Sequence, residues 1–492
     1  MRDLILAIDQ GTTGSRTFII DKNLKVLGQA YAEFQQHFPK PGWVEHDPEQ
    51  IWFSVENTMR QALKAADVGP ERIAGIGITN QRETVVAWDR ATGKPYYHAI
   101  VWQCRRTADM CRALRDRGLE DTFQSVTGLL LDPYFSGTKI AWLLQNVPAF
   151  AKAAEKGDAA IGTIDTFLTW RLTGGVAHVT DVSNASRTLL MGLESLAWDH
   201  ELLDVLEIPP AVLPAIRASS EVYGVTKGLS VLPDGIPVAG MAGDQQAALF
   251  GQACFEPGMA KCTYGTGSFM LWNTGTQIVP SRNRLLTTVA WKLGDEVNYA
   301  LEGSCFISGA AVQWLRDGLG IIKKSSDIEA LAASVPDAGG VVFVPALVGL
   351  GAPHWNAEAK GVIWGLTRGV TAAHLARATL EAIALQNHDV FQAMEIDAGG
   401  KLGLLRVDGG ACADNLLMQF QADVLGCEIS RPKMIETTVL GATLLAGLAV
   451  CLWQGKEEVT QRWQEERRFK PQMPAEQRQA HLDLWNKALG RV

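Results

Sequence analysis

Asp9-Gln10-Gly11-Thr12-Thr13-Gly14-Ser15-Arg16 decides how the rest of this chain reads. A short apolar run, Leu4 to Ile8, leads into it, and a second, Thr17 to Ile20, leaves it. The stretch therefore reads as the turn of a β-hairpin, spanning 9–15. Gly11 and Gly14 let backbone amides approach an anion, the Thr and Ser hydroxyls add donors, and Arg16 supplies charge. Asp9 falls where strand meets turn, a place from which a carboxylate can hold magnesium through water. An ordinary hairpin with a hydroxyl-capped tip needs the same residue types, so the stretch alone leaves both readings open.

Outward from this turn, a third strand is predicted at Lys25 to Ala32, and a helix starts with Asp47 as its cap and Pro48 in its first position. Ile73 to Thr79 reads as a buried strand that delivers Asn80-Gln81-Arg82-Glu83 at its carboxyl end, where ligands gather in open α/β sheets. The pattern recurs in the second half. Gly258 to Thr263 leads into Tyr264-Gly265-Thr266-Gly267-Ser268, and the apolar run Phe269 to Trp272 comes next. The two hairpin turns, at 9–15 and 264–268, suggest a duplication with a phosphate-facing turn in each half. The boundary is placed near residue 250, giving an N-terminal domain over 1–250 and a C-terminal domain over 251–492. Trp453 to Pro474 is rich in Arg and Glu and reads as a solvated helical region.

The chain has 492 residues, enough for two large domains or a few smaller ones. Its 47% hydrophobic and 20% charged residues suit a soluble globular enzyme. A net charge of −8 argues against a nucleic-acid or anionic-membrane surface. Eight scattered cysteines, with no Cys-x-x-Cys, fit buried thiols in a reducing compartment better than a disulfide frame or a zinc site. The opening apolar stretch is too short for a signal peptide, and no run reaches the ~18 apolar residues of a membrane span, so the cytosol is expected. No P-loop is present: Gly93-Lys94 is followed by Pro95, and Gly455-Lys456 by Glu457. Gly349-Leu350-Gly351-Ala352-Pro353 does not open a dinucleotide fold, because the proline interrupts the helix start.

Two hairpins facing one another across a cleft are the arrangement of the actin-like ATPase fold. Within that superfamily the chain resembles the FGGY carbohydrate kinases nearly end to end. The resemblance rests on Asp9-Gln10-Gly11-Thr12-Thr13, Asn80-Gln81-Arg82-Glu83-Thr84, Trp102-Gln103-Cys104-Arg105-Arg106 and Asp132 to Lys139. It continues through Ala242 to Ala248, Tyr264-Gly265-Thr266-Gly267, Gly349 to Pro353 and Arg406-Val407-Asp408-Gly409-Gly410. It implies an α/β protein of two actin-like (RNase H-like) domains, each a mixed sheet flanked by helices, with the active-site cleft between them. The blocks are most similar to those of the members that phosphorylate glycerol. The implied activity is thus ATP-dependent phosphorylation of glycerol to sn-glycerol 3-phosphate, the first step of glycerol catabolism. ATP and Mg2+ would be required, and a homo-oligomer, dimer or tetramer, is implied.

Carried over residue by residue, the resemblance makes Asp244 the general base that takes the proton of the attacked hydroxyl. A plain helix N-cap would also explain an Asp before Gln245-Gln246-Ala247-Ala248. Arg82 and Glu83 would bind polyol hydroxyls, one donating and the other accepting, where a surface ion pair is the bland alternative. Trp102, Tyr134, Gln245 and Phe269 would complete the polyol site, although aromatics more often fill cores. Thr12, Thr13, Gly14 and Arg16 in the first turn, and Thr266 in the second, would meet the ATP phosphates. Gly309 and Gln313 would lie nearby, and Gly410 and Asp414 beside the adenosine. Magnesium would be held by phosphate oxygens, with Asp9 acting through water and Asp244 near it.

Four features depart from the pattern usual in the members that phosphorylate glycerol. Gly14 replaces a usual Ser, Asp414 a usual Asn, and His354-Trp355-Asn356 stands where a Tyr and an Asp are commoner. The loop Lys227 to Gly235 holds neither the histidine nor the arginine that relatives use for control. Three rivals remain: a kinase of the same family for a pentulose or another polyol, an actin-like switch ATPase without a polyol acceptor, and a weakened relative.

Overall fold

The computed structural model describes residues 2–356 and 358–492. Leu4–Gln10 and Gly14–Asp21 form the first hairpin, with Gln10 paired to Ser15 and Asp9 to Arg16. The turn is therefore only 11–13, closed by Gly11 N–H donating to the Gly14 carbonyl at 2.9 Å. This corrects the expected 9–15 turn: Asp9 lies inside the ladder, because each strand continues through polar residues once its partner is beside it. The second hairpin behaves the same way, with strands Ala260–Tyr264 and Ser268–Gly275 leaving a turn of 265–267.

Each hairpin nucleates a mixed sheet. The first runs in the order Ser220–Val225, Pro237–Gly243, Ile73–Asn80, Leu4–Gln10, Gly14–Asp21, Val26–Glu33. The second runs Glu465–Phe469, Glu428–Pro432, Leu404–Asp408, Ala260–Tyr264, Ser268–Gly275, Glu296–Cys305, with Leu286–Leu293 added at the far edge. In both, an antiparallel edge strand precedes two strands parallel to the first hairpin strand. The shared order carries the duplication that the paired turns suggested, and it is the two-sheet arrangement the resemblance implies.

Leu4 to Ile8 is fully buried because the first sheet is covered on both faces. Helix Pro48–Ala66, capped by the Asp47 side chain as expected, covers one face with Ile51, Val55, Met59 and Ala62. Helix Thr437–Ala449 returns from the second half to cover the other face. It also packs along helix Asp244–Gly251, which lies against the second hairpin. Glycines mark the closest approaches. A Cβ on Gly441 would run into the Ala247 carbonyl, and one on Gly77 into the Ala442 carbonyl.

The expected solvated helix over Trp453–Pro474 is a correction. Lys456–Arg462 is helical, but Glu465–Phe469 is the antiparallel edge strand beside Glu428–Pro432. Its charges face outward in ion pairs such as Arg468–Glu428 and Arg431–Glu466, while Phe469 and Trp453 are buried. A charged edge is how sheets avoid pairing with other chains, and by composition it is indistinguishable from a charged helix. Seven of the eight cysteines are buried and all are free thiols, as expected.

Candidate functional site

Strands Ile73–Asn80 and Pro237–Gly243 run parallel in register, Asn80 beside Gly243, so the residues just past their carboxyl ends lie side by side. Arg82 lies past the end of the first and Asp244 past the end of the second. Arg82 Nε forms an ion pair with Asp244 Oδ1 at 3.1 Å. A Cβ on Gly243 would meet the Arg82 side chain at 2.7 Å, so glycine is what lets Arg82 pass. The helix cap is Gly243, and Asp244 is the first helical residue, its carboxylate turned toward Arg82.

Arg82 is gripped from the other side by Glu302, on Glu296–Cys305 of the second sheet, through two hydrogen bonds of 2.5 and 2.8 Å. It also donates to Tyr134 and Gln246, both at 3.3 Å. Arg187 then closes a ring: its Nε donates to Glu83 at 2.7 Å and its Nη2 to Glu302 at 3.1 Å. Arg82, Glu83, Arg187 and Glu302 are all buried, and their two positive and two negative charges balance. Burial pushes Glu302 up, but Arg187 and Arg82 outweigh it and hold the carboxyl down at about 2. Asp244 is different, with its side chain 34% exposed. It is the open carboxylate of a sealed cluster. Glu83 is fixed in the left-handed backbone region at φ 62°, a conformation a non-glycine residue keeps only where its surroundings impose it.

Trp102 Nε1 donates to Thr12 Oγ1 at 2.9 Å while its ring lies 5.6 Å from that of Tyr134, so it bridges the Arg82 cluster and the first turn. Gln245 accepts from Lys261, whose ammonium also reaches Thr263 Oγ1 at 2.8 Å and the Phe269 carbonyl at 3.2 Å. Phe269 itself is half-buried on the second hairpin. Thr12 is half-buried, Thr13 exposed and Gly14 buried. Arg16 is paired with Glu436 at 2.9 Å. Burial raises the Asp9 carboxyl to about 7, with Arg16 opposing and the Asp244 charge adding to the rise.

In the second half, Gly309 N–H donates to the Gly265 carbonyl at 3.0 Å, and the Thr266 carbonyl accepts from Ser308 and Ala310. A Cβ on Gly309 would meet Gly265 at 2.6 Å, so turn and helix start touch directly. Gln313 is exposed on helix Gly309–Asp317. Gly409 packs on Tyr264 of the hairpin with φ 84°, leaving Gly410 facing open space. Asp414 caps helix Asn415–Leu425 by accepting from Leu417 N–H at 2.9 Å, and burial raises its carboxyl to about 6.

Three residues in or beside the cluster escape a reading of the sequence: Arg187, Glu302 and Lys261. Glu302 and Lys261 each interrupt an apolar strand, which is the one signal they offer. Arg187 comes after a short helix, Val182–Ala185, with no pattern to mark it.

The whole chain matches known proteins. Residues 4–251 match the N-terminal domain model of the FGGY family of carbohydrate kinases, and 260–450 match the C-terminal one. A glycerol kinase of Myxococcus xanthus is 58% identical over 490 residues, 99% of each chain. One from Bdellovibrio bacteriovorus is 56% identical over the full length of both. The crystal structure of Plasmodium falciparum glycerol kinase with ADP superposes with a TM-score of 0.93 at 38% identity, covering 99% of this chain and 98% of that one.

Proposed function

The chain belongs to the FGGY family of carbohydrate kinases, and on that premise we propose that it transfers the γ-phosphoryl group of ATP to a terminal hydroxyl of glycerol. The observation that carries the site assignment is the Arg82–Asp244 pair at the mouth of the buried cluster. A hydroxyl both donates and accepts, so it fits between the Arg82 N–H and the Asp244 carboxylate. Entering there, it accepts from Arg82 Nε–H in place of the ion-pair contact and presents its own proton to Asp244. As the proton moves to Asp244, the hydroxyl oxygen bonds to the γ-phosphorus and the bond from that phosphorus to the β–γ bridging oxygen breaks. ADP and sn-glycerol 3-phosphate result. Positioning and charge neutralisation supply most of the acceleration.

Glu83 and Tyr134 take the remaining hydroxyls, and Trp102 and Phe269 cover the carbon chain. The phosphates lie against the turns at Thr12–Gly14 and Thr266, with Arg16, Gly309 and Gln313 beside them and Gly410 and Asp414 toward the adenosine. Magnesium fits the donor set. Asp9, acting through water, and Asp244 would hold it, and both offer the oxygens this ion takes. Among the described residues, no three acidic, His or Cys side chains gather into a cage, so phosphate oxygens would supply the other ligands. Bound there, magnesium would neutralise phosphate charge.

No helix among the described residues is long and apolar enough to cross a membrane. The reading extends to a cytosolic homo-oligomer divided into domains near residue 250. The test is ADP release from Mg-ATP with and without glycerol, beside a panel of pentuloses and tetritols. Strong stimulation by glycerol supports the assignment. Stimulation by another polyol alone changes the substrate, and ATP hydrolysis indifferent to every polyol sinks it.

A further inference from the structure

His46 stands outside the Arg82 cluster, fully buried in the strand Glu45–His46. In the small antiparallel sheet, Gln36 is its direct cross-strand partner. One amide end of Gln36 donates to the carbonyls of Thr12, at 3.0 Å, and of Phe34, at 3.4 Å. Carbonyls only accept, so this end is the NH2, and the other end, 2.6 Å from His46 Nε2, is the oxygen. Nε2 therefore carries the ring proton and Nδ1 is bare. Nδ1 accepts from Gln81 Nε2 at 3.4 Å. The two hydrogens of the same Gln81 amide are shared with the Gly11 carbonyl at 3.1 Å and Gln10 Oε1 at 3.0 Å, which makes the His46 contact the longest of three, and the Gln10 amide adds a 2.7 Å bond to Gly11. One histidine thus touches two glutamines, and the glutamines hold two consecutive carbonyls of the first turn.

In a trans peptide the C=O of one residue and the N–H of the next point in opposite directions. Holding the Gly11 and Thr12 carbonyls on the His46 side turns the Thr12 and Thr13 N–H groups to the other side. Neither of these amides donates to another group among the described residues. We propose that His46 is a positioning residue for nucleotide binding, which fixes the Thr12 and Thr13 amides toward the phosphates by way of Gln36 and Gln81. The inference rests on the reading of this turn as a phosphate site. The relay needs the neutral ring, since a proton on Nδ1 would face the Gln81 N–H. Burial, with His37 beside it, pushes the ring down to about 3, so it stays neutral at any ordinary pH.

The test is direct calorimetric binding of ADP, adenosine and glycerol to the full chain, in the parent, His46→Phe and His46→Gln. Phe keeps the ring shape and removes both polar contacts, whereas Gln retains an N–H for Gln36. Expected are a roughly tenfold loss of ADP affinity in His46→Phe, adenosine and glycerol within about twofold of the parent, and recovery of ADP binding to within about threefold in His46→Gln. Combining His46→Phe with Gln36→Leu should add little further loss, as for two links of one chain. ADP affinity unchanged in a folded His46→Phe overturns the proposal. So does an equal loss for all three ligands, which marks His46 as packing alone. If His46→Phe does not fold, Gln36→Leu is judged on the same terms. Thr13→Pro, which deletes one of the amides, separates the two failures. If it weakens ADP and His46→Phe does not, the turn reading stands and the relay is wrong. If neither weakens ADP, the turn does not hold phosphate and both readings fall.

Discussion

In the proposed mechanism Asp244 is the residue on which catalysis turns, because both oxygens of Glu302 are bonded to arginines and one oxygen of Glu83 is held by Arg187, whereas the Asp244 side chain is 34% exposed. Asp244→Asn keeps the shape and removes the base. Turnover should fall by ~10²–10⁴ with glycerol binding nearly unchanged, measured by steady-state rates beside calorimetry. Near-normal turnover in the folded variant refutes the assignment. Arg82→Ala should raise the glycerol KM strongly and the ATP KM little. It should also destabilise the protein by about 3–5 kcal/mol, because it leaves the buried Glu302 with one arginine. Equal effects on both KM values count against the pocket. Two departures from the family pattern at the proposed nucleotide site have local accounts. A Cβ at Gly14 would lie 2.6 Å from both the Ala32 carbonyl and the Tyr31 ring, so a serine has no room there. Asp414 serves as the N-cap of helix Asn415–Leu425, accepting from Leu417 N–H, a hydrogen bond that partly offsets the cost of burying its charge.

At the scale of the element, helix Ile164–Leu172 opens with a buried acid. Asp165 accepts from Thr163 and Thr180 at 2.5 and 2.7 Å, and burial, with Asp181 adding to it, raises its carboxyl to about 7. That is above the ordinary carboxylate value of 3.8, so near neutral pH the folded chain holds a proton the unfolded chain has released. The stability this contributes is full below about pH 4 and lost as pH rises through about 7. Denaturant unfolding at about pH 5 and about pH 8 should show the parent losing more stability with rising pH than Asp165→Asn. Equal losses would mean that the carboxyl is not raised.

At the scale of the molecule, two sheets of like order meet through helices Asp244–Gly251 and Thr437–Ala449. Their contact depends on absent side chains at Gly441 and Gly251. Alanine favours a helix over glycine by ~1 kcal/mol, yet Gly441→Ala should still destabilise by about 1–3 kcal/mol. The added methyl group has nowhere to go but into the Ala247 backbone. Thermal unfolding with and without ADP and glycerol reads this directly. A melting temperature at or above the parent's would show that the helices are free to separate.

The sequence by itself determined whatever is written locally. Gly and Thr between apolar runs marked both hairpins, Asp47-Pro48 marked a helix start, and Asn80 to Glu83 stood at a strand end because turn chemistry and period act between near neighbours. The two turns and the strand end at Asn80 to Glu83 were legible in this way, whereas the roles of Asp244, Trp102, Tyr134, Phe269, Gly410 and Asp414 were implied only by the resemblance to the FGGY family. What the tertiary structure decided is everything that depends on partners distant in the chain. Glu302 stands 220 residues from Arg82, and Arg187 lies 104 residues beyond Glu83. Glu465–Phe469 became a strand because an open sheet edge was there to receive it. His46 reached the first turn through a glutamine on the neighbouring strand. No local pattern encodes such pairings, because a buried charge or a bare ring nitrogen is tolerated only once folding has brought its partner beside it.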